Sequence, residues 1–262
     1  MTELQKRVLV AVIFIPLLLA VLYLGGAYLA VTFAIIVILG AAEYIAMLRK
    51  ASFLISWYWI AIIFGTFVTL SFLPGWELIT AWLIFFLLAL EALLKWNEQK
   101  AIPQAALEFF GVFYVGVLPA MCLHLGLNFR HPNLLLWLVI LIWITDSVAY
   151  FIGIKWGKHR GIFPVSPKKS VEGFIAGIIA SFIITIILFL TGVINKTLNL
   201  ILLAVAAGIV GQLGDLLESM IKRFCGVKDS SKLIPGHGGI LDRFDSILLA
   251  GSFLYCSLII LH

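Results

Sequence analysis

Charge is scarce in this sequence. Asp, Glu, Lys and Arg make up 12% of its 262 residues, while 63% are hydrophobic. A soluble domain carries about twice that charged fraction, and a mean hydropathy of +1.15 excludes an ordinary water-soluble globule. Cysteine is equally thin. Cys122, Cys225 and Cys256 make no CxxC pair and no Cys/His cluster, so neither a zinc site nor a disulfide is expected. His124 and His131 stand alone, without partners at metal-ligand spacing. The segments around Asp146 and Asp215 have no counterpart in the first half, which argues against a secondary transporter assembled from paired repeats.

What the chain does have is long apolar runs. Nine are visible, at about 8–25, 27–48, 53–73, 77–95, 107–127, 134–154, 172–194, 198–224 and 246–261. Runs of roughly 18 to 25 residues span ~30 Å of hydrocarbon as helices. The expected fold class is therefore all-α: a polytopic integral membrane protein with about nine transmembrane helices and a cytoplasmic N-terminus. Residues 1–130 (about five spans) are expected to serve as scaffold and lipid-side packing. Residues 131–262 (about four spans) are expected to hold a cytoplasm-facing catalytic site, and no separate soluble domain is left over.

Lys and Arg stay preferentially on the cytoplasmic side. With the N-terminus inside, 16 of the 18 basic residues fall in inside segments and only Arg130 and Lys196 fall outside. A missed or invented span would scramble that parity. The pI near 9.1 thus reflects a basic cytoplasmic face suited to anionic lipid or nucleotide, not a nucleic-acid patch. MTELQKR and the apolar run after it look like a signal peptide, but the run is long and a second span follows at once. An uncleaved first helix is expected.

The first five spans carry little chemistry. Trp57, Trp59, Trp76 and Trp96 sit near span ends, as aromatic belts do, and Pro16 and Pro119 are expected to kink their helices. Glu43, Glu91 and Glu108 lie near cytoplasmic ends, where snorkelling or pairing with Arg49, Lys95 or Lys100 is expected.

The sixth span is different. Asp146 stands about eight residues before its end, ~12 Å below it at 1.5 Å per residue. Tyr150, Gly153 and Gly157 follow at helical spacing, the glycines allowing close helix approach. A buried carboxylate without a use is penalised in a membrane, so Asp146 points to function. The next loop, KWGKHRGIFPVSPKKSVEG, is the most basic in the chain. Ser166-Pro167 reads as a turn and Ser170 as the N-cap of the seventh helix, with Glu172 and Gly173 in its first turn. Lys168 and Lys169 beside that N-terminus suit either an anion site or an ordinary basic loop.

In the eighth span Asp215, Glu218 or Ser219, and Lys222 share one face. Beyond Arg223, Lys228 and Asp229 comes the turn-prone Pro235-Gly236-His237-Gly238-Gly239, then Asp242-Arg243-Phe244-Asp245. Asp242 and Asp245 would face one site if the ninth helix begins there. Acids at similar depth, beside basic and Gly-rich loops, suggest divalent cations held by oxygen and shared with phosphates.

Residues 219 to 245, SMIKRFCGVKDSSKLIPGHGGILDRFD, resemble the signature of the phosphatidate cytidylyltransferase (CDP-diacylglycerol synthase) family. Ser219, Lys222-Arg223, Lys228-Asp229, His237-Gly238-Gly239, Asp242-Arg243 and Asp245 all stand where that pattern wants them. Asp146 with Ala149-Tyr150, and Ser166-Pro167-Lys168-Lys169-Ser170 with Glu172-Gly173, resemble it too. The resemblance implies transfer from CTP to phosphatidic acid, giving CDP-diacylglycerol and pyrophosphate, with Mg2+ and room for a second cation. It implies Asp215 and Asp242 as leading metal ligands, with Asp146 and Asp245 as further candidates. Lys168, Lys169, Lys222, Arg223 and Arg243 would clamp phosphates, His237 between its glycines would contact a phosphate, and Ser166, Ser170, Lys228, Gly238 and Gly239 would line the same site. Glu172, Glu218, Ser219, Asp229 and Tyr150 would support it. A site open to the cytoplasm in the cytoplasmic (inner) membrane and a homodimer are both compatible with the resemblance. A CTP-dependent polyprenyl or phytyl alcohol kinase and a secondary transporter are the rival readings.

Overall fold

The computed structural model describes residues 3–234, 236 and 238–261, and among these the chain forms nine helical rods. They are α1 (Glu3–Leu24), α2 (Gly26–Lys50), α3 (Trp59–Phe72), α4 (Glu77–Leu94), α5 (Ala101–Asn128), α6 (Leu134–Trp156), α7 (Val171–Leu190), α8 (Thr197–Phe224) and α9 (Leu241–Leu261). Seven are long and apolar enough to cross a membrane; the apolar part of α1, Val12–Leu24, and α3 are shorter. Helices are the expected solution because a lipid core offers no partner to a free backbone N–H or C=O. Pro103 falls in the first turn of α5, where no helical N–H is lost. Pro119 follows a π-helical turn, Val112–Val117, which widens α5 just before the residue that cannot donate. A second π turn, Ala206–Val210, interrupts α8.

Burial separates the lipid face from the core. On α4, Leu78 is 84% and Phe85 70% exposed, which in water would be an aggregation hazard and in hydrocarbon is a solvated surface. By contrast α9 is packed against α2, α5, α6 and α8, and Leu248, Leu254 and Leu258 are fully buried. It is the central rod. Its N-terminus begins at Leu241, five residues earlier than the apolar run at 246, so both Asp242 and Asp245 are helical.

α6 and α7 pack closely against each other. A Cβ on Gly173 would lie 2.6 Å from the Ala149 carbonyl oxygen and 3.1 Å from the Gly153 Cα. Small residues therefore let these two backbones touch, the expected role for Gly153.

Two expectations about the early spans are corrected. Trp59 is 1% exposed, and its indole N–H donates to Glu91 at 2.8 Å, so it is a core residue rather than part of an aromatic belt. Glu91 does pair with Lys95, but Glu108 accepts from Gln104 instead of meeting Lys100. Arg49 donates to the Ile55 carbonyl at 2.7 Å, and Glu43 turns elsewhere. The three cysteines are free.

Candidate active site

Two cavities meet between α1, α6, α7, α8 and α9, and both are lined by Asp146, Asp242, Arg243, Asp245 and Ser246. The larger, about 690 Å³, adds Lys168, Lys169, Ser170, Tyr150, Arg160 and Asp215. The smaller, about 400 Å³, adds Phe14, Ile15 and Leu18 of α1 with Ile142, Trp143 and Ile247. The larger chamber gathers the basic side chains, and the smaller sets apolar side chains of α1 and α6 opposite the shared acidic wall. A shared acidic wall with Arg243 divides them.

The basic wall is fixed locally. Ser170 caps α7, its Oγ accepting from Gly173 N at 3.1 Å. Glu172, two residues on, accepts from the His159 backbone N–H at 3.2 Å and from its ring Nδ1 at 2.6 Å. The loop after α6 is thereby folded back onto the α7 N-terminus. Arg160 reinforces it, donating to the Gly153 carbonyl at 2.7 Å. Lys169 reaches across to Asp215 of α8 at 2.5 Å, joining the two sides of the larger chamber.

Behind the acidic wall lies a buried charge relay. Lys222 Nζ sits 2.5 Å from Glu218 Oε2, one turn earlier on α8, and 2.6 Å from Asp242 Oδ1 on α9. Glu218 is fully buried and the Asp242 side chain is 7% exposed. Among the described residues no donor reaches the other Glu218 oxygen, and Asp245 is a close carboxylate neighbour. Asp242 Oδ2 accepts from Ser230 N at 2.9 Å, Ser230 Oγ at 2.8 Å and Gly239 N at 2.8 Å. One carboxylate thus holds α8, the following loop and its own helix start.

That loop explains its glycines. Gly238 has φ +84°, and a Cβ there would lie 2.6 Å from Asp242 Oδ2; a Cβ on Gly239 would lie 2.5 Å from both Glu43 carboxylate oxygens. An alanine at either position would push a buried carboxylate out of its hydrogen bonds.

The profile of the "Cytidylyltransferase family" matches residues 5–261, nearly the whole chain. The chain belongs to this family. A protein named phosphatidate cytidylyltransferase from Synechocystis sp. is 32% identical over 98% of this chain and 97% of its own length. One of the same name from Haemophilus influenzae is 35% identical over 95% of this chain and 96% of its own length. A third, from Staphylococcus haemolyticus, is 40% identical over 63% of this chain, and that match spans 62% of the relative's length.

In this cytidylyltransferase-family chain, Asp146, Tyr150, Lys168, Lys169, Ser170, Asp215, Asp242, Arg243 and Asp245 converge on the larger chamber. Lys222 and Glu218 stand behind it. Ser166, Ser219, Lys228 and Asp229 do not line either cavity, and Gly238 and Gly239 shape the loop through their lack of a side chain. Arg223 donates to the carbonyls of Val165 and Val227, at 3.3 and 3.2 Å, so it braces the basic loop. His237 lies outside the described residues. Sequence reasoning missed Arg160, Ser230 and Glu43. Arg160 was visible only as one more loop cation; Glu43 had a signal, an acid inside an apolar span, but its partners are nearly two hundred residues away.

Proposed function

We propose that this chain transfers the cytidylyl group of CTP to phosphatidic acid, giving CDP-diacylglycerol and pyrophosphate. The observation that carries the reading is the pair of chambers with one shared acidic wall, Lys168, Lys169 and Arg160 gathered in one and apolar side chains of α1 and α6 in the other. Two polyanions must meet in this reaction, one soluble and one in the bilayer. The basic chamber suits the triphosphate, with Lys168 and Lys169 beside a helix N-terminus. The apolar side of the smaller chamber suits the glycerol and first methylenes of the lipid, leaving its phosphate at the wall. Arg243 lines both chambers and has the planar fork that grips phosphate bidentately.

The nucleophile is a lipid phosphate oxygen, already anionic at neutral pH. It forms a bond to the α-phosphorus of CTP as the bond to the bridging oxygen breaks, and pyrophosphate carries away the electron pair. No strong general base is needed. The barrier is the repulsion between reactants, so positioning and charge neutralisation dominate. Lys168, Lys169 and Arg243 supply fixed positive charge for that purpose.

Magnesium fits the donor set. Among the described residues no three His, Cys, Asp or Glu side chains close around one point. An open set of oxygen donors is what an ion needs when it takes one or two carboxylates and completes its shell with phosphate and water. Asp146 and Asp215 would hold it, with Asp245 beside them; Asp242 would join only through the spare lone pair of Oδ1, since Oδ2 already accepts three bonds. When bound, the ion would neutralise charge on the transferring phosphate. The same reading places the protein in a cytoplasmic membrane with the chambers facing the cytoplasm, supported by the one-sided distribution of Lys and Arg.

Purified protein given phosphatidic acid, α-labelled CTP and Mg2+ is expected to move label into the organic phase and release pyrophosphate. CDP without pyrophosphate would replace this reading with a lipid alcohol kinase, and no turnover would revive the transporter. Filling the smaller chamber with Ile15→Trp should raise KM for phosphatidic acid by about ten-fold, the scale of ~1.4 kcal/mol of lost binding, with KM for CTP unchanged. Equal rises in both would refute the division of the chambers.

A further inference from the structure

Glu43 lies on α2, 6% exposed and away from both chambers. Its carboxylate nevertheless collects the loop that closes the site. Oε1 accepts from Ser231 Oγ at 2.7 Å and from Ile240 N at 2.9 Å. Oε2 accepts from Leu241 N at 3.0 Å and lies 3.0 Å from Ser230 Oγ, whose single proton it shares with Asp242. Two of these donors are backbone N–H groups at the start of α9, orphans that a helix needs satisfied, and a negative charge there also suits the helix dipole. The Ser230 hydroxyl lies between two acids, 3.0 Å from Glu43 and 2.8 Å from Asp242. Glu43 therefore touches Asp242 through one hydroxyl, and sets the helix turn that carries it.

We infer that Glu43 is a positioning residue for cytidylyl transfer, locking Ser230 and the first turn of α9 so that Asp242 and Arg243 face the shared wall of the two chambers. Its neighbour Gly239 is required by the same contact, since a Cβ there would meet both Glu43 oxygens. The separation of 187 residues between Glu43 and Ser230 gives the N-terminal half a direct hold on reaction geometry. This inference rests on the proposed activity.

A glutamine at this position keeps the shape and loses an acceptor. Whichever way the amide turns, its NH2 faces one backbone donor, Ile240 N or Leu241 N, and that bond is lost. Glu43→Gln is expected to yield folded, monodisperse protein whose kcat per folded molecule falls about ten- to a hundred-fold, the cost of a displacement near 1 Å, with KM for phosphatidic acid unchanged. Glu43→Asp, which keeps the charge and all its acceptors on a shorter stem, should regain part of the lost rate. Glu91→Gln, which removes a different buried carboxylate on α4, should leave kcat per folded molecule unaltered. A merely structural Glu43 would instead reduce the yield of folded protein while the surviving molecules turn over normally, and that result overturns the inference. Amide exchange at residues 230 and 239–241 separates the two claims. If wild-type protein makes no CDP-lipid, the activity is refuted, while exchange unchanged between wild type and Glu43→Gln refutes the positioning role by itself.

Discussion

Asp242→Asn is expected to reduce CDP-diacylglycerol formation by about a hundred- to a thousand-fold, the range seen when one preorganised charge-stabilising group is removed. The substitution changes one atom, but the site has no orientation for it. Asp242 Oδ1 receives Lys222, and Oδ2 receives Ser230 N, Ser230 Oγ and Gly239 N. With the amide nitrogen on the Oδ2 side, it confronts two backbone donors, Ser230 N and Gly239 N. Turned over, it confronts the Lys222 ammonium. Either choice leaves buried donors unsatisfied, at about 1–3 kcal/mol each, so the thermal midpoint should fall together with the rate. Label transfer from α-labelled CTP and a melting curve in detergent measure the two effects. Turnover within a few-fold of wild type would show that the loop and α9 hold their places without this carboxylate.

The contrast between Asp242 and Glu43 shows what the chain discloses by itself. The helical rods could be read because a membrane enforces them: apolar runs must be helices, and their lengths follow bilayer thickness. The convergence of Asp146, Asp215, Asp242 and Asp245 was also readable, since a carboxylate in an apolar span needs a reason, and helical spacing puts Asp215 and Lys222 on one face. The loop between α8 and α9 was not readable. Its shape depends on Glu43, whose bonds reach Ser230, Ser231, Ile240 and Leu241, and no periodicity encodes a hydrogen bond of that sequence separation. The family resemblance implied that Arg223, beside the signature lysine, clamps phosphate; here it donates to the Val165 and Val227 carbonyls, contacts that no local spacing encodes. Glu43 shares its helix with Arg49, yet Arg49 satisfies the Ile55 carbonyl in the turn that follows.

The largest stability effect is expected from Lys222→Met. Lys222 is the ammonium between two acids, and its side chain is 11% exposed against 0% for Glu218 and 7% for Asp242. Asp245 adds a third buried carboxyl close to Glu218. Methionine fills nearly the same volume without the charge, so packing is preserved and the loss is electrostatic. Removing one partner of a buried ionic pair typically costs about 3–5 kcal/mol, because the remaining charge has neither water nor counter-ion. Folded protein recovered from membranes should drop sharply, and what remains should melt earlier and make no CDP-lipid. Since a variant that fails to fold says little about chemistry, Lys222→Met combined with Glu218→Gln is the informative partner. It removes one positive and one negative charge together and should restore much of the folded yield. Activity should stay lost, because Asp242 Oδ1 has still lost the ammonium that orients it toward the shared wall. Restored turnover in the double variant would confine Lys222 to neutralising Glu218, and a single variant as stable as wild type would remove the relay from the stability of the fold.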